Sequence, residues 1–233
     1  MSASPLQAFG PEIWLADGPE AEVAGFRYPT RMAVIRLSDG GLFVWSPVAL
    51  TEAARTGLEA LGEVRHLVAP NALHHLFIPA WREAFPRARL HAAPGLAARR
   101  RDLAFDAELG DEPSADWAAD LDQVLVRGNR ITSEAVFFHR RSGAVLFTDL
   151  IQQFPRGWFR GWRGVVARLD LMTEAEPTVP RKFRVAFHDR AAARAALARI
   201  RAWPARTVVM AHGAPVERDG AAFIARAFRW LTG

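Results

Sequence analysis

Apolar residues recur along the chain in short runs that turn-forming residues separate. The runs at 32–37 and 42–46 flank an Asp-Gly-Gly turn, a pattern typical of a β-hairpin. The runs at 134–139 and 144–150 flank an Arg-Arg-Ser-Gly turn in the same way. The pattern therefore predicts one hairpin in each half of the chain.

Other segments show helical spacing or isolated β-type runs. Thr51 is a predicted N-cap for a helix that ends at Gly62, and Asp189 is a predicted N-cap for a helix over 188–203. A short helix begins near Pro79, and an amphipathic helix over 221–231 closes the chain. Further strands are predicted over 64–70, 88–93, 122–128 and 206–213.

The order of these elements is ββαβαβ in the first half and ββ(α)αβα in the second. Residues 94–121 are rich in Pro, Asp and Ala and have the character of an insertion. Two β-rich halves with appended helices predict an α/β fold, a four-layer αββα sandwich with two packed sheets and outer helices. Residues 1–233 are expected to form one domain.

The composition narrows the functional classes. The chain is 50% apolar and 24% charged, an ordinary globular balance, and it has no cysteine, which excludes disulfides and thiolate metal sites. No apolar run reaches the ~20 residues that span a bilayer, and the start lacks a signal-peptide pattern, so we expect a cytoplasmic protein without a membrane partner. The net charge of +5 comes from dispersed arginines, so no nucleic-acid partner is expected.

Candidate chemistry appears where three apolar strands end in polar residues. The first is the segment 70–75, which contains His74 and His75, and the others are Asp149 and His212. Each residue alone has an ordinary structural explanation, such as a helix cap or a loop hydrogen bond. Together, imidazole nitrogens and one carboxylate suit zinc or iron.

This order of motifs resembles the metallo-β-lactamase superfamily over nearly the whole chain. The stretch SGAVLFTDLI is similar to the hairpin that leads to its bridging Asp, and VVMAHGAP is similar to its last ligand strand. NALHHLF, FFH, TDLIQ, PRKFR and AHG resemble a bacterial branch of that superfamily without an established function. The resemblance implies an αββα fold and one or two metals that activate water for hydrolysis.

The chain departs from the superfamily's first motif, His-x-His-x-Asp-His. With His75 at its last position, His74 falls on the Asp, and Ala72 and Pro70 fall on the two preceding histidines. The superfamily's middle His falls near Arg130. One metal position is thus lost, and the resemblance implies that His75, Asp149 and His212, joined by His74, hold one divalent transition metal, zinc first and iron second.

Several neighbours of these ligands are further candidates. Glu134 is a candidate general base or extra ligand, although an ordinary edge-strand role is as compatible, and Asp149 and Glu134 are the candidate catalytic pair. Arg130 is a candidate to reach Asp149 or Glu134 and replace the missing cation, with a solvated loop residue as the alternative. The candidate substrate-binding residues are Arg130, Trp158, Arg160 and Lys182, which suit an anionic or aromatic ligand, with core packing as the alternative for the tryptophan.

The leading functional hypothesis is a mononuclear metal-dependent hydrolase. Its partner would be a small-molecule substrate, with an ester, a lactone, a thioester and a phosphoester all open, and metal-bound water would be the nucleophile. The alternative is a non-catalytic binding protein on a degenerate metallo-β-lactamase fold, with a structural metal or none. A nucleic-acid processing enzyme is a third hypothesis, which the dispersed charge disfavours.

Overall fold

The computed structural model describes residues 6–232, and within them the strands form two sheets. The first sheet has seven strands in sequence order: β1 (Gln7–Gly10), β2 (Ile13–Val23), β3 (Phe26–Arg36), β4 (Leu42–Trp45), β5 (Val64–Ala69), β6 (Arg89–Ala92) and β7 (Ala107–Glu108). Strands β1 to β4 are antiparallel, and β4 to β7 are parallel. The predicted first hairpin is therefore the β3–β4 pair.

The second sheet has the order β11-β10-β9-β8. Its strands are β8 (Leu121–Val126), β9 (Glu134–His139), β10 (Ala144–Gln152) and β11 (Thr207–His212). The predicted second hairpin is the antiparallel β9–β10 pair, and β11 lies parallel to β10 on its other side. The carboxyl ends of β10 and β11 therefore meet at one edge of the molecule.

The helices lie outside the sheets. They are α1 (Glu52–Leu61), α2 (Ile78–Ala84), α3 (Leu96–Arg99), α4 (Trp162–Leu169), α5 (Arg181–Ala186), α6 (Arg190–Arg201), α7 (Gly220–Ala227) and α8 (Arg229–Thr232). The Thr51 side chain accepts a hydrogen bond from the Ala54 amide, and Asp189 accepts one from the Ala192 amide. Both predicted N-caps are therefore present.

Three buried layers establish the αββα arrangement that the sequence predicts. Phe43 and Trp45 of the first sheet pack against Phe137 and Leu146 of the second, which forms the layer between the sheets. A second layer joins the first sheet to α1, α2 and α3, and a third joins the second sheet to α5, α6, α7 and α8. Because both faces of β9 and β10 are covered, these strands appear in the sequence as continuous apolar runs.

Some elements were not predicted. The long β2–β3 hairpin was missed, because Gly, Pro and charged residues interrupt its apolar alternation. The helices α4 and α5 were also missed, and the segment 94–121 contains only the short elements α3 and β7. Among the described residues, no helix is both long and apolar enough to cross a membrane.

Candidate metal centre

His74, Asp149 and His212 meet at the carboxyl ends of strands from both sheets. His74 lies in the loop after β5, Asp149 lies near the end of β10, and His212 is the last residue of β11. One ligand atom from each residue lies within 4.8 Å of the other two. Each of these side chains is more than nine-tenths buried. The three could hold a metal ion.

Four side-chain nitrogen atoms surround the carboxylate of Asp149. His74 Nε2 lies 3.1 Å from Oδ2 and His212 Nε2 lies 3.4 Å from Oδ1. Asn71 donates to Oδ2 at 2.7 Å, and Gln152 donates to Oδ1 at 2.9 Å. Burial opposes ionisation of Asp149, but the two imidazoles outweigh it and hold its pKa well below the usual range. Asp149 is thus an anion at neutral pH.

The second nitrogen of each imidazole is also bonded. His212 Nδ1 lies 2.6 Å from the carbonyl oxygen of Pro29, and His74 Nδ1 lies 2.7 Å from Ser46 Oγ. A carbonyl oxygen only accepts, so His212 Nδ1 carries a proton and a neutral ring turns the lone pair of Nε2 toward Asp149. A lone pair facing a carboxylate needs a proton or a cation between them. Since nitrogen and carboxylate donors suit zinc and iron, the residues fit a metal of this class.

Glu134 holds the backbone that carries Asp149. The register of β10 against β11 shifts between Phe147 and Gln152, and the Glu134 carboxylate accepts the Thr148, Asp149 and Leu150 amides at 2.8, 2.8 and 3.1 Å. Burial and the charge of Asp149 raise the pKa of Glu134 to about 7, against the effect of these donors. Both oxygens of Glu134, the candidate base or extra ligand, therefore accept hydrogen bonds from the main chain.

Asn71 connects the His74 loop to Asp149, a role that the sequence did not indicate. Its Oδ1 accepts the amides of Leu73 and His74 at 2.8 and 3.1 Å, while its Nδ2 donates to Thr148 Oγ1 and Asp149. With His74 at the last position of the superfamily motif, Asn71 falls on the second His. An amide donor thus stands where the motif has an imidazole ligand.

His75 is not part of the cluster, which corrects the expectation that it meets Asp149 and His212. Its Nδ1 lies 2.9 Å from Nη1 of Arg100, a residue that also pairs with Asp102. Burial lowers the pKa of His75, and the Arg100 guanidinium lowers it further. The motif register is therefore displaced by one residue, and His74 takes the position assigned to His75.

Arg130 does not replace a lost cation, which corrects a second expectation. The residue is exposed, and within residues 6–232 its side chain makes no hydrogen bond or ion pair with Asp149 or Glu134. Its main-chain amide instead donates to the Ala186 carbonyl. Two imidazole nitrogens and two amide donors surround Asp149 in its place, so no guanidinium contacts the carboxylate.

Two of the candidate substrate residues, Trp158 and Lys182, lie next to an aromatic wall beside His212. The rings of Tyr28 and Phe154 lie 5.3 and 6.4 Å from the His212 ring. Lys182 Nζ lies 3.3 Å from the Tyr28 hydroxyl and 3.4 Å from Asp170, so it is close to the site. Trp158 packs against Phe154 and donates its indole N–H to the Arg27 carbonyl, as the packing alternative expected.

Arg160, the remaining candidate, is exposed in the turn before α4. No hydrogen bond or ion pair of its side chain occurs within the described part of the chain. The sequence also did not indicate Ser46, Pro29 and Gln152 as neighbours of the site. Gln152 follows Asp149 by three residues and is the one that strand-end placement could have identified.

Solved metallo-β-lactamases share this fold over almost the whole chain. A metallo-β-lactamase from Pontibacter korlensis has a TM-score of 0.62 and 11% identity, and the match covers 96% of this chain and 98% of that chain. FIM-1 from Pseudomonas aeruginosa, in its mono-zinc form, has a TM-score of 0.62 and 15% identity over 99% and 98%. A metallo-β-lactamase from Erythrobacter litoralis has a TM-score of 0.63 and 14% identity over 97% and 96%.

The fold is therefore that of the metallo-β-lactamase superfamily, as the resemblance implied. Within that fold, a family described as a domain of unknown function, DUF4336, matches residues 11–160, which is more than half of the chain. The chain belongs to this family. A search of curated proteins finds no match to its sequence.

Proposed function

We propose that this protein is a hydrolase that uses a single divalent metal held by His74, Asp149 and His212. The observation that carries the proposal is the convergence of three buried ligand atoms, within 4.8 Å of one another, from three distant parts of the chain. Three protein ligands leave a fourth position open, which is the arrangement of catalytic zinc sites. The mono-zinc form of FIM-1 supports a site of this kind on the same fold.

Asn71 supports one metal rather than two. Its amide nitrogen lies 2.7 Å from Asp149 Oδ2 and 2.8 Å from Thr148 Oγ1. His212 contacts the other oxygen of Asp149, Oδ1. An amide N–H₂ group donates hydrogen bonds and repels a cation. The single ion would be zinc, with iron as the second choice.

When bound, the metal supplies a Lewis acid that lowers the pKa of a coordinated water toward neutrality. Asp149 and the two imidazoles hold the ion, and the Pro29 and Ser46 contacts fix the orientation of those rings. Glu134 is a positioning residue, because its contacts are with the main chain that carries Asp149. Lys182 and Tyr28 give the aromatic wall a cation and a hydroxyl, which favours a small anionic substrate such as a carboxylate-bearing or phosphoryl ester.

Metal binding by matched histidine variants tests the ligand set. We expect equilibrium dialysis against zinc, followed by elemental analysis, to give about one zinc per chain for the wild type and for His75→Ala. The variants His74→Ala and His212→Ala should lose the ion. Equal zinc contents in His74→Ala and the wild type would contradict the assignment, as would two ions per wild-type chain.

A structural metal is the second candidate, and the burial of all three ligand side chains favours it. The zinc-loaded protein should hydrolyse at least one member of a panel of carboxylate-bearing p-nitrophenyl esters, lactones and bis(p-nitrophenyl) phosphate. Asp149→Asn should abolish that turnover. One tightly bound zinc without turnover, and with an X-ray absorption spectrum showing only protein ligands, would establish the structural role instead.

A further inference from the structure

The helix α4 presents its apolar side to solvent. The exposed fractions of Trp162, Val165, Val166 and Leu169 are 60%, 49%, 42% and 58%. Residues spaced by three, four and seven positions lie on one side of a helix, so these four form a single stripe, which we call the α4 stripe. The buried residue of the helix is Ala167. A surface helix normally packs its large apolar side chains inward, and α4 has the opposite orientation.

Arginines without acidic partners surround the α4 stripe. Arg156 and Arg160 precede the helix, Arg163 and Arg168 lie within it, and no acidic residue occurs between 155 and 169. Within residues 6–232, none of the four takes part in an ion pair. Arg163 instead lies over the Trp162 ring at 4.8 Å. The segment 155–169 therefore combines an apolar stripe with four arginines, whereas the adjacent β2–β3 hairpin carries Glu20, which pairs with Arg27, and the exposed Glu22.

The tip of the β2–β3 hairpin extends this surface. Val23 at the tip is 59% exposed, and the Phe26 ring lies 5.7 Å from Trp162 in an edge-on arrangement. A side chain added at Gly25 would contact the Arg163 guanidinium at 3.0 Å. Two separate elements thus present apolar side chains beside the same arginines.

We propose that the α4 stripe and its arginines bind the surface of a membrane that contains anionic lipids. Aliphatic side chains and an indole at the end of a helix suit the boundary between headgroups and acyl chains, where Trp is enriched. The arginines pair with anionic headgroups. Such binding is peripheral and needs no membrane-spanning segment. The expectation of no membrane partner rested only on the lack of an apolar run long enough to span a bilayer.

The same features disfavour the other occupants of an apolar surface. A second copy of this chain, related by a two-fold axis, would bring two identical sets of arginines together. A protein partner would need a groove that fits the α4 stripe and acceptors placed opposite each of the directional guanidinium donors. A lipid surface needs neither a complementary groove nor directional hydrogen bonds.

Vesicle co-sedimentation tests the proposal. We expect the full chain to sediment with vesicles of phosphatidylglycerol and phosphatidylcholine, to remain in solution with phosphatidylcholine alone, and to be released by high salt. Arg160→Gln with Arg168→Gln should weaken binding about 25-fold, since each basic residue near an anionic surface contributes about fivefold. Val165→Gln with Leu169→Gln should weaken it at least tenfold, and glutamine preserves the helix.

Matched variants on another helix provide the control. Arg190→Gln with Arg194→Gln removes the same charge from exposed positions of α6 and should bind vesicles like the wild type. Brominated lipids should quench the fluorescence of the wild type more than that of Trp162→Phe. A wild type that stays in solution with anionic vesicles would overturn the proposal. Equal losses in the α4 and α6 variants would also overturn it, as would a dimer in sedimentation velocity that Leu169→Gln dissociates.

Discussion

Glu134 determines where Asp149 is held, although it is not one of the three clustered ligand residues. Three consecutive main-chain amides at the register shift of β10 donate to its carboxylate instead of to a neighbouring strand. A buried carboxylate that accepts several amides replaces part of the sheet's hydrogen bonding at this position. The segment around Asp149 therefore depends on one side chain of β9 for its shape.

We expect Glu134→Gln to lower the free energy of unfolding by about 3 kcal/mol. The side-chain NH₂ group of the glutamine would face a main-chain N–H that is itself a donor, so that hydrogen bond would be lost. Urea denaturation measures this change. The exposed Glu22→Gln is the control with the same loss of charge and should change stability by less than about 0.5 kcal/mol. A Glu134→Gln variant as stable as Glu22→Gln would show that the carboxylate does not hold this segment.

Ser46 orients His74 through its contact with Nδ1. Removing the partner of a metal-binding imidazole typically weakens metal binding by about 10- to 100-fold, so we expect this loss in Ser46→Ala with little change in fold. Calorimetric zinc titration measures it. Ser142 makes a similar contact with His139 Nδ1 at 2.9 Å, so Ser142→Ala is the matched control. Equal zinc affinities in the two variants would contradict this role of Ser46.

Strand-end placement in the sequence identified the three clustered residues. It did not distinguish His74, which joins the cluster, from the adjacent His75, which does not. Adjacent residues in an aperiodic loop point in different directions, and here the Asn71 side chain decides the outcome by accepting the Leu73 and His74 amides. The prediction that Arg130 contacts Asp149 or Glu134 was wrong for a related reason. The charge balance at Asp149 was foreseen, but amide and imidazole donors supply it, and only the folded chain brings these donors together.

At the scale of elements, the neighbouring strands β5 and β6 bury a pair of histidines. His66 Nδ1 lies 3.2 Å from His91 Nε2, and both rings pack edge-on against Trp117. Burial lowers the pKa of both histidines. For His91, burial together with the nearby His66 and Arg89 lowers the pKa to about 4. At a mildly acidic pH the pair therefore stays neutral in the folded protein, whereas the same histidines of an unfolded chain would take up protons.

This pair predicts a loss of stability in acid. The pKa of His91 is about 4 when folded and 6.5 when unfolded, so its stabilising effect is complete above pH 6.5 and declines as the pH falls toward 4. The loss attributable to His91 approaches about 3 kcal/mol at the acid end. Urea midpoints from pH 8 to pH 4 should fall less steeply for His91→Gln than for the wild type. The exposed His188→Gln should follow the wild type, and a parallel decline in all three proteins would contradict the prediction.

Periodicity predicted the elements of the two sheets better than those around the site. Strands buried on both faces, such as β9 and β10, produce unmistakable apolar runs, and Thr51 and Asp189 are conventional caps. The apolar residues of α4 have helical spacing, but they face solvent instead of the core. Sequence periodicity shows that a helix has an apolar side, but it does not show what that side contacts.

At the scale of the whole molecule, the ligand cluster joins the two sheets. His74 follows a strand of the first sheet, whereas Asp149 and His212 belong to the second. A metal that binds only the folded protein should therefore stabilise the molecule against global unfolding, by about 3 kcal/mol at a zinc concentration 100 times the Kd. Thermal unfolding with and without zinc measures the effect. His74→Ala should show no shift, His75→Ala should show the full shift, and equal shifts in both would contradict the prediction.

The wide separation of the three ligand residues along the chain has a consequence for biosynthesis. A nascent chain that has been translated past residue 149 contains His74 and Asp149, but it lacks the strand that places His212 beside them. Because β11 must pair with β10 to complete the set, the proposed metal would find its three ligands together only after the last strand has folded. If the proposed ion needs all three ligands, the early half of the protein reaches its structure without help from that ion.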